Sequence, residues 1–430
     1  MRAAKWSSLN CVIGPSTASE VNSIEVNSIE VDSAEVNRDA ELLEFRSTVR
    51  RVLERHAASS AADSPQTPAG GYDPQLWKLL THQVGVAGLA VPERFGGSGF
   101  GYLECHLVLE ELGRAVLASP FLASAVLATQ ALLLAGDSAA GDSAAGDSAA
   151  GNTAAAELLP DLAAGTRTAA LVWGTGDPLT ATRTEAGWLI NGRMRHVLDG
   201  ARADLLLAFA EPGPEPGPAL FLLDVTHPGL QRDLLPSMDQ SLHLAEVRCR
   251  AVPARRLSSS DAPRLDHQQP ARPVLSRLAD LAATAITAEQ VGGARRCLEF
   301  TVEYTKTRVQ FGRPIGSFQA IKHRLADLLV LVESAQSASQ AAARAWADDA
   351  EDASVLASLA KSYSSEAYRA VTAETLQLHG GIGFTWEHQA HRYFKHAHAT
   401  SALFGTPTHH RHLLATHLGL PTPNPAPNPA

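Results

Sequence analysis

Apolar residues change their spacing twice along this chain of 430 residues, and these two changes constrain its fold more than any single motif. Over 42–53 apolar side chains recur three and four positions apart, the spacing of an amphipathic helix. Over 168–255 they instead form continuous runs, Leu205–Ala210 and Ala219–Leu223, which are typical of buried strands. Helical spacing returns over 325–332. The order is therefore helical, then β, then helical.

This order predicts an α+β multidomain fold with separate helical and strand domains, because βαβ units would alternate the two patterns. We expect an N-terminal helical domain over 38–164, a middle β domain over 165–268 and a C-terminal helical bundle over 269–420. Repeats of period five predict a disordered tail over 1–37, and proline-rich sequence predicts another over 421–430. No strand-led glycine motif for phosphate binding is present in the sequence.

One turn is predicted inside the β domain. Asn191-Gly192 follows the apolar run Trp188–Ile190, and an Asn-Gly pair beside such a run is typical of a two-residue hairpin turn. We therefore expect the chain to reverse direction at these two residues.

The composition excludes several classes of protein. The formal net charge is −9, which provides no general attraction to nucleic acid or to an anionic membrane. The sequence has no run of about 18 apolar residues, so no membrane span is predicted. Four widely spaced cysteines without a C-x-x-C pair indicate a reducing compartment, and neither a disulfide framework nor a cysteine-ligated metal. The short apolar stretch near the N-terminus does not fit a secretory signal, so a cytoplasmic protein is predicted.

Four local motifs occur together in a characteristic order. They are Val91–Gly99 with Glu110–Arg114, Asn191-Gly192 with Ala203-Asp204, Arg308–Gln319, and Gln377–Thr385. With these motifs and its helical–β–helical order, the chain resembles the acyl-CoA dehydrogenases over roughly 38–420. The resemblance implies an N-terminal helical domain, a middle β domain and a C-terminal four-helix bundle, usually assembled as a tetramer of two dimers.

The resemblance also implies a reaction. Members of this family bind FAD and oxidise the Cα–Cβ bond of an acyl-CoA thioester to the trans-enoyl-CoA. A carboxylate removes the α-proton while the flavin accepts the β-hydride, and hydrogen-bond donors stabilise the developing enolate. An electron-transfer flavoprotein is the expected electron acceptor.

Several residues match the positions that contact FAD in this family. By resemblance, Arg308 contacts the FAD pyrophosphate, a role that suits its fixed donors and permanent charge. The Arg308 and Gln377 motifs reach an FAD seated mainly in a neighbouring subunit, whereas Thr406 belongs to the last flavin-contact segment. The alternative is that these motifs serve bundle packing, with a solvated arginine. The predicted cofactor residues are Arg308, Gln310, Phe311, Gln377, Gly380, Gly381 and Thr406.

By the same resemblance, the catalytic base is missing from both positions that the family uses. The Tyr-Glu-Gly-Thr segment of the family falls on Leu403–Thr406, where Phe404 replaces the glutamate. Phenylalanine has no lone pair to accept a proton, so only its backbone N–H remains as a donor. The alternative base position of some members falls on Ala282, and Asp280 lies about 200° round the helix from it. No catalytic residue is therefore predicted in this chain.

The residues expected around the chain's own flavin ring are also changed. The Gly-Ser-Asp expected near Trp173–Pro178 is absent, Leu198 replaces a flavin-bonding threonine, and Thr408 replaces a glutamine. The residues expected to contact the FAD of a neighbouring subunit still match the family. This pattern resembles the base-lacking subunit of actinobacterial heterotetramers, whose substrates are often bulky, such as CoA thioesters of sterol side chains. We therefore expect a second acyl-CoA dehydrogenase-like subunit to supply the base.

Other interpretations of the sequence stay open. The chain is alternatively a non-catalytic scaffold or regulator on the same fold, or a flavin oxidase or monooxygenase. His409-His410-x-His412 has some likeness to a metal site, but without a Cys or carboxylate at ligand spacing a solvated helix face is favoured, and no metal is predicted. His396 and His398 are minor candidates for a replacement base, and Phe404 has the alternative role of filling an unused acyl cavity.

Overall fold

The computed structural model describes most of the chain between the two predicted tails. The described residues are 33–60, 71–139, 148–213, 217–257, 265–266, 269–270 and 274–420. The chain divides into two compact units, 1–41 and 42–430, and the described part of the first unit is helical. The predicted tails over 1–32 and 421–430 lie outside the described residues. Residues 33–37, which were also predicted as tail, are helical, and their alanine and glutamate are good helix formers.

The N-terminal part is helical, as predicted. Its α-helices are α1 (Ser33–Ser60), α2 (Pro74–Leu79), α3 (Tyr102–Ala115), α4 (Thr129–Ala139) and α5 (Ser148–Ala163), with short π or 3-10 helices at Leu80–Val84, Val86–Gly88, Glu93–Phe95 and Phe121–Ala128. Two arginines fix α1 to the buried face of α3. Arg46 pairs with Glu110 at 2.6 Å, and Arg50 bonds both carboxylate oxygens of Glu111. These paired carboxylates account for the Glu-Glu of the first motif.

The middle part is a mixed sheet. Its strands are β1 (Ala169–Val172), β2 (Thr175–Gly176), β3 (Leu179–Thr184), β4 (Gly187–Leu198), β5 (Leu205–Glu211), β6 (Ala219–Leu223), β7 (Leu230–Leu234) and β8 (Leu244–Arg256), followed by the two-residue pair β9 (Leu265–Asp266) and β10 (Gln269–Pro270). Strands β4, β3, β5, β6 and β8 pair in that order, and β8 pairs back onto β4 to close a ring. The predicted runs form β5 and β6, whose apolar side chains are largely buried. The β domain is therefore confirmed.

The predicted hairpin turn at Asn191-Gly192 is wrong. Both residues lie inside β4, and the chain reverses at residues 185–186 instead. The register of β4 against β8 shifts between Ile190 and Gly192, which marks a β-bulge. Gly192 has a φ of +130°, a conformation that favours glycine, and the Asn191 side chain accepts a 2.7 Å hydrogen bond from the backbone N–H of Ala251. The Asn-Gly pair thus serves a bulge.

The C-terminal part is a helical bundle, as predicted. Its elements are α6 (Val274–Thr307), the short strands β11 (Val309–Gln310) and β12 (Arg313–Pro314), a 3-10 helix at Ile315–Ser317, α7 (Gln319–Ala347), α8 (Ala353–His379), a 3-10 helix at Gly380–Phe384, α9 (Ala390–Ala402) and α10 (Pro407–His417). Helices α6, α7, α8 and α9 pack together, and α10 packs on α8. Among the described residues, no helix is long and apolar enough to cross a membrane.

Helices α3 and α6 approach each other at two glycines. A Cβ atom on Gly113 would lie 2.2 Å from the carbonyl oxygen of Glu289, and one on Gly292 would lie 1.9 Å from that of Glu110. Only glycine permits this backbone contact, because any other side chain would overlap a carbonyl group. The crossing fixes α6 against the N-terminal domain and sets the position of Glu289.

Candidate functional site

Two of the predicted cofactor segments meet at one end of the C-terminal bundle. The ring of Tyr304, near the end of α6, stacks on the imidazole of His379, the last residue of α8, with ring centroids 4.2 Å apart. About one turn earlier on the same helices, the Thr301 hydroxyl donates to Thr375 Oγ1 at 3.2 Å. These contacts place the segment after α6 beside the segment that ends α8.

The segment after α6 is a tight hairpin. Strands β11 and β12 pair, and the intervening Phe311 and Gly312 have φ values of +52° and +75°. The backbone N–H of Ile315 donates to the carbonyl oxygen of Arg308 at 2.8 Å, which fixes the start of the hairpin. The side chains of Arg308 and Gln310 are exposed, and Phe311 is 90% exposed. The Arg308 guanidinium forms no ion pair within the described part of the chain, so it is available to a phosphate group.

The segment that ends α8 has an uncovered backbone. Gln377 is exposed on the last turn of α8, and Gly380 and Gly381 follow the helix. A Cβ atom built on either glycine meets no other atom within 4 Å, so a ligand has room to approach this backbone closely. A free guanidinium, an exposed amide and open glycine backbone suit a diphosphate and an adenosine. This end of the bundle therefore fits the adenosine diphosphate half of FAD.

The segment that contains Thr406 lies elsewhere. Thr406 is the N-cap of α10, and its hydroxyl accepts a 3.2 Å hydrogen bond from the backbone N–H of His409. Phe404 has a φ of +57°, and its carbonyl oxygen accepts a 3.0 Å hydrogen bond from Nε2 of His410. Nδ1 of the same imidazole lies 3.2 Å from the hydroxyl of Ser358 on α8. These contacts hold the segment against the N-terminal part of α8.

The predicted solvated histidine face is wrong for His410. His409 is exposed, but His410 is buried between α8 and the Phe404 carbonyl group. Burial lowers the pKa of His410 to about 4, so the imidazole is neutral at neutral pH. Nε2–H then donates to the carbonyl oxygen of Phe404, and Nδ1 accepts from the Ser358 hydroxyl.

Over the described ranges, no group of three or more histidine, cysteine or acidic side chains is arranged to hold a metal ion.

Helix α8 separates the predicted cofactor residues into two groups. Ser358 and His379 lie about 20 residues apart on this helix, which corresponds to about 30 Å along its axis. Thr406 is held near Ser358, whereas Arg308 lies near His379. The structure therefore does not bring Thr406 and Arg308 together. The Arg308 and Gln377 segments form one group at one end of the bundle, and Thr406 stands apart at the other.

An aromatic pair joins two segments in which the sequence predicts flavin-ring contacts. The Phe404 ring stacks on the indole of Trp173, which directly follows β1, and both rings are half-buried. They pack against an apolar cluster that contains Leu198 and Leu403. Phe404 and Leu198 carry no side-chain group that accepts a proton or hydrogen-bonds a flavin.

The alternative base position lies inside the apolar core. Ala282 on α6 is fully buried, among apolar side chains from the N-terminal helices. Asp280 accepts a 3.0 Å hydrogen bond from the hydroxyl of Ser354, so its carboxylate is directed towards the start of α8.

A buried polar cluster near this region was missed by sequence reasoning. Asp239, between β7 and β8, accepts a 2.8 Å hydrogen bond from Nδ1 of His396 on α9. Glu289 on α6 places its Oε2 atom 3.8 Å from Nε2 of the same imidazole. All three side chains belong to residues that are at most 9% exposed. Asp239, His396 and Glu289 are referred to below as the buried triad.

The pKa values of the buried triad depend on one another. Burial raises the pKa of Glu289 to about 7, and the charge of His396 acts in the opposite direction. Burial also acts to lower the pKa of His396, but the Asp239 charge and hydrogen bond, together with Glu289, hold it above its ordinary value. The pKa of Asp239 is lowered, because His396 and the hydrogen bonds from Ser241 outweigh burial. Asp239 is therefore ionised at neutral pH, and its carboxylate accepts the Nδ1–H of His396.

One feature of the sequence indicates a buried polar cluster on α6. Glu289 lies seven residues after Ala282, which places it two turns along the same face of α6. A single glutamate on an otherwise buried apolar helix face needs a polar partner. Its partners come from distant segments of the chain, so spacing alone does not name them.

Comparisons with known proteins identify the family. The N-terminal domain model of acyl-CoA dehydrogenases matches residues 39–151, and the C-terminal domain model matches 272–419. Acyl-CoA dehydrogenase IpdE2 of Mycolicibacterium smegmatis is 36% identical over 374 residues, which cover 86% of this chain and 96% of that protein. The chain belongs to the acyl-CoA dehydrogenase family. Members of this family are FAD-dependent flavoproteins, so the predicted family, fold and cofactor are confirmed.

Solved structures of this family superpose on the chain. A variant of the Tcur3481-Tcur3483 steroid ACAD has a TM-score of 0.75 at 29% identity and covers 89% of this chain and 98% of the solved one. The ChsE4-ChsE5 complex from Mycobacterium tuberculosis has a TM-score of 0.73 at 28% identity, with the same coverage of both chains. Butyryl-CoA dehydrogenase from Megasphaera elsdenii, at 23% identity and a TM-score of 0.74, shares the fold.

Proposed function

We propose that this chain is one subunit of a hetero-oligomeric acyl-CoA dehydrogenase, in which its exposed bundle end completes an FAD site seated mainly in a neighbouring subunit. One observation carries the proposal: Arg308 and Thr406 lie near opposite ends of α8, beside His379 and Ser358, which are about 30 Å apart along the helix axis. The Arg308 end faces outward with free donors. Two similar solved structures are named as pairs of chains, which supports a two-chain assembly here.

In this proposal, the chain's own pocket for the flavin ring has no catalytic activity. Phe404 replaces the family's glutamate, and its ring is stacked on Trp173 at a centroid distance of 5.8 Å. The buried Ala282 offers no carboxylate at the alternative position. A neighbouring acyl-CoA dehydrogenase-like subunit therefore supplies the base, and this chain contributes to the geometry of that subunit's cofactor site.

The assembled enzyme carries out α,β-desaturation of an acyl-CoA thioester, for which bound FAD supplies the hydride acceptor. Arg308 holds the pyrophosphate through charge-assisted hydrogen bonds. The residues that surround the adenosine half are Gln310, Phe311, Gln377, Gly380 and Gly381. Thr406 is the residue retained in the chain's own flavin-contact segment, and it forms the N-cap of α10.

The substrate proposed for this enzyme is a bulky, sterol-derived acyl-CoA. Support comes from the solved structure named as a steroid ACAD, to which the chain is 29% identical over most of its length. An electron-transfer flavoprotein is the proposed electron acceptor, and a cytoplasmic location stays a prediction.

Co-expression tests the proposal. The chain is produced with an acyl-CoA dehydrogenase-like partner that carries an intact Tyr-Glu-Gly-Thr segment, and the flavin content of the purified complex is measured by absorbance. We expect Arg308→Gln to weaken FAD binding at least tenfold, because a charge-assisted hydrogen bond contributes about 1.5–3 kcal/mol. The matched control is Arg411→Gln on α10, an exposed arginine that pairs with Glu366. Stoichiometric FAD binding and acyl-CoA oxidation by this chain alone would contradict the proposal.

A further inference from the structure

The buried triad leaves one nitrogen without a partner. Nδ1 of His396 is bonded to Asp239, but within the described ranges Nε2 forms no hydrogen bond. Oε2 of Glu289 lies 3.8 Å from Nε2, which exceeds the usual limit of about 3.2 Å for an N–H···O hydrogen bond. Burying a polar atom without a partner is unfavourable, so the 3.8 Å gap favours a third group that bonds both side chains.

A small cavity lies beside this gap. Its free volume is about 20 Å³, and a water-sized group needs about 10–15 Å³. Its lining combines polar side chains, including Asp199 and His243, with leucine side chains. The cavity is lined by Glu289, His396, Ser241, Leu117, Leu122 and Leu198, among others. The cavity therefore suits one neutral, water-sized polar group, with or without an attached apolar substituent.

Proton counting identifies that group. A single proton between Glu289 and Nε2 of His396 lies on either the imidazolium or the carboxylic acid, because Nδ1 already donates to Asp239. In both arrangements one side chain donates a hydrogen bond and the other accepts one. The bound atom must therefore accept and donate at once. We propose that the cavity is a binding site for a single hydroxyl group, from water or from a small alcohol.

A second cavity lies beside the first. The two cavities share Asp199 and His243 as walls, and the second continues past Tyr72 and Pro120 to Leu234. Leu234 is half-exposed, so the second cavity lies close to the surface. Apolar groups dominate its lining, which suits the hydrocarbon part of an alcohol whose hydroxyl reaches the buried triad.

High-resolution crystals of the full chain test the site. Matched crystals are soaked in 2-propanol or in acetone, which has a similar shape but only accepts hydrogen bonds. We expect an oxygen atom within hydrogen-bond distance of both Nε2 of His396 and Oε2 of Glu289. Propyl density extending towards His243 identifies an alcohol site, and water in both soaks identifies a water site. An empty cavity, a direct His396–Glu289 hydrogen bond, or acetone bound there as well as 2-propanol overturns the proposal.

Variants test the same site in solution. Glu289→Leu removes one hydrogen-bonding partner, so the ordered oxygen is lost and the pKa of His396 shifts downward in histidine NMR titrations. Glu289→Gln keeps the side-chain size and one acceptor, so the oxygen is retained while the pKa of His396 still shifts downward. The control is Glu303→Leu, an exposed position on the same helix. The proposed site is contradicted if the ordered oxygen is retained in Glu289→Leu. It is also contradicted if the oxygen is lost in the control Glu303→Leu but not in Glu289→Leu.

Discussion

The ring of Phe404 lies on the indole of Trp173, with ring centroids 5.8 Å apart and ring planes inclined by 21°. This contact joins two places where the sequence is predicted to depart from its family: the end of β1 and the loop between α9 and α10. Each change is ambiguous by itself. Together they place two aromatic rings in contact where the family's flavin contacts are expected, which is why the proposed function assigns catalysis to a neighbouring subunit.

Phe404→Glu does not convert the chain into an active dehydrogenase. The new carboxyl group lies against the Trp173 indole in an apolar pocket, where burial raises its pKa and no flavin contact is restored. We expect no acyl-CoA oxidation by the isolated variant, and a loss of about 2 kcal/mol in the free energy of unfolding.

Phe404→Leu is the control for this variant. It keeps an apolar side chain, so we expect a cost of less than about 1.5 kcal/mol and an unchanged turnover of the hetero-complex. Turnover by the isolated Phe404→Glu chain would show that the pocket is complete except for its base.

Gly113→Ala and Gly292→Ala destabilise the contact between α3 and α6. Each added Cβ atom would lie 2.2 Å or less from a backbone carbonyl oxygen of the facing helix, so the helices must separate. We expect each variant to lose about 2–3 kcal/mol, measured by urea unfolding. Gly381→Ala, where a Cβ atom meets no other atom within 4 Å, should change the free energy of unfolding by less than about 0.5 kcal/mol.

Buried neutral histidines make the chain sensitive to acid. Burial lowers the pKa of His106 to about 3 and that of His410 to about 4, from an ordinary value of 6.5. Between pH 6.5 and these values the unfolded chain binds more protons than the folded chain, so stability is complete above pH 6.5 and falls as the pH drops. One such group contributes at most about 1.4 kcal/mol per pH unit.

Urea unfolding between about pH 7 and about pH 4.5 measures this slope. The His106 imidazole lies within 3.3 Å of the hydroxyls of Tyr102 and Ser339, and glutamine offers similar donor and acceptor groups without titrating. We expect a shallower slope for His106→Gln. An identical slope in parent and variant would assign the acid sensitivity to other groups.

Exposed aromatic residues near the Arg308 end should serve association and not folding. Phe384 is 81% exposed and Trp386 is 72% exposed. Replacing both with serine should change the unfolding free energy by less than about 1 kcal/mol, yet weaken the hetero-complex at least tenfold, because buried aromatic residues dominate interface energies. Size-exclusion chromatography with light scattering measures the complex. Leu413→Ser, an exposed apolar position on α10, should leave it intact.

Local patterns predicted most of the architecture. Helical spacing and continuous apolar runs identified the three parts of the chain, because both report the local periodicity of burial. The Asn191-Gly192 prediction failed because the same residue pair suits a turn and a bulge, and strand pairing with β8 decides between them. His410 was misplaced for a similar reason: its burial depends on Ser358, which lies 52 residues away.

The sequence by itself determined the family and the fold class, and it predicts Phe404 at the position of the expected glutamate, since these depend on residue identity and order along the chain. Only the tertiary structure decided which of these residues lie together and which lie apart. The separation of Arg308 from Thr406 follows from the length of α8, and the stack of Phe404 on Trp173 joins segments more than two hundred residues apart. The buried triad likewise joins the β domain, α6 and α9. Such contacts depend on packing between distant segments, which no local spacing encodes.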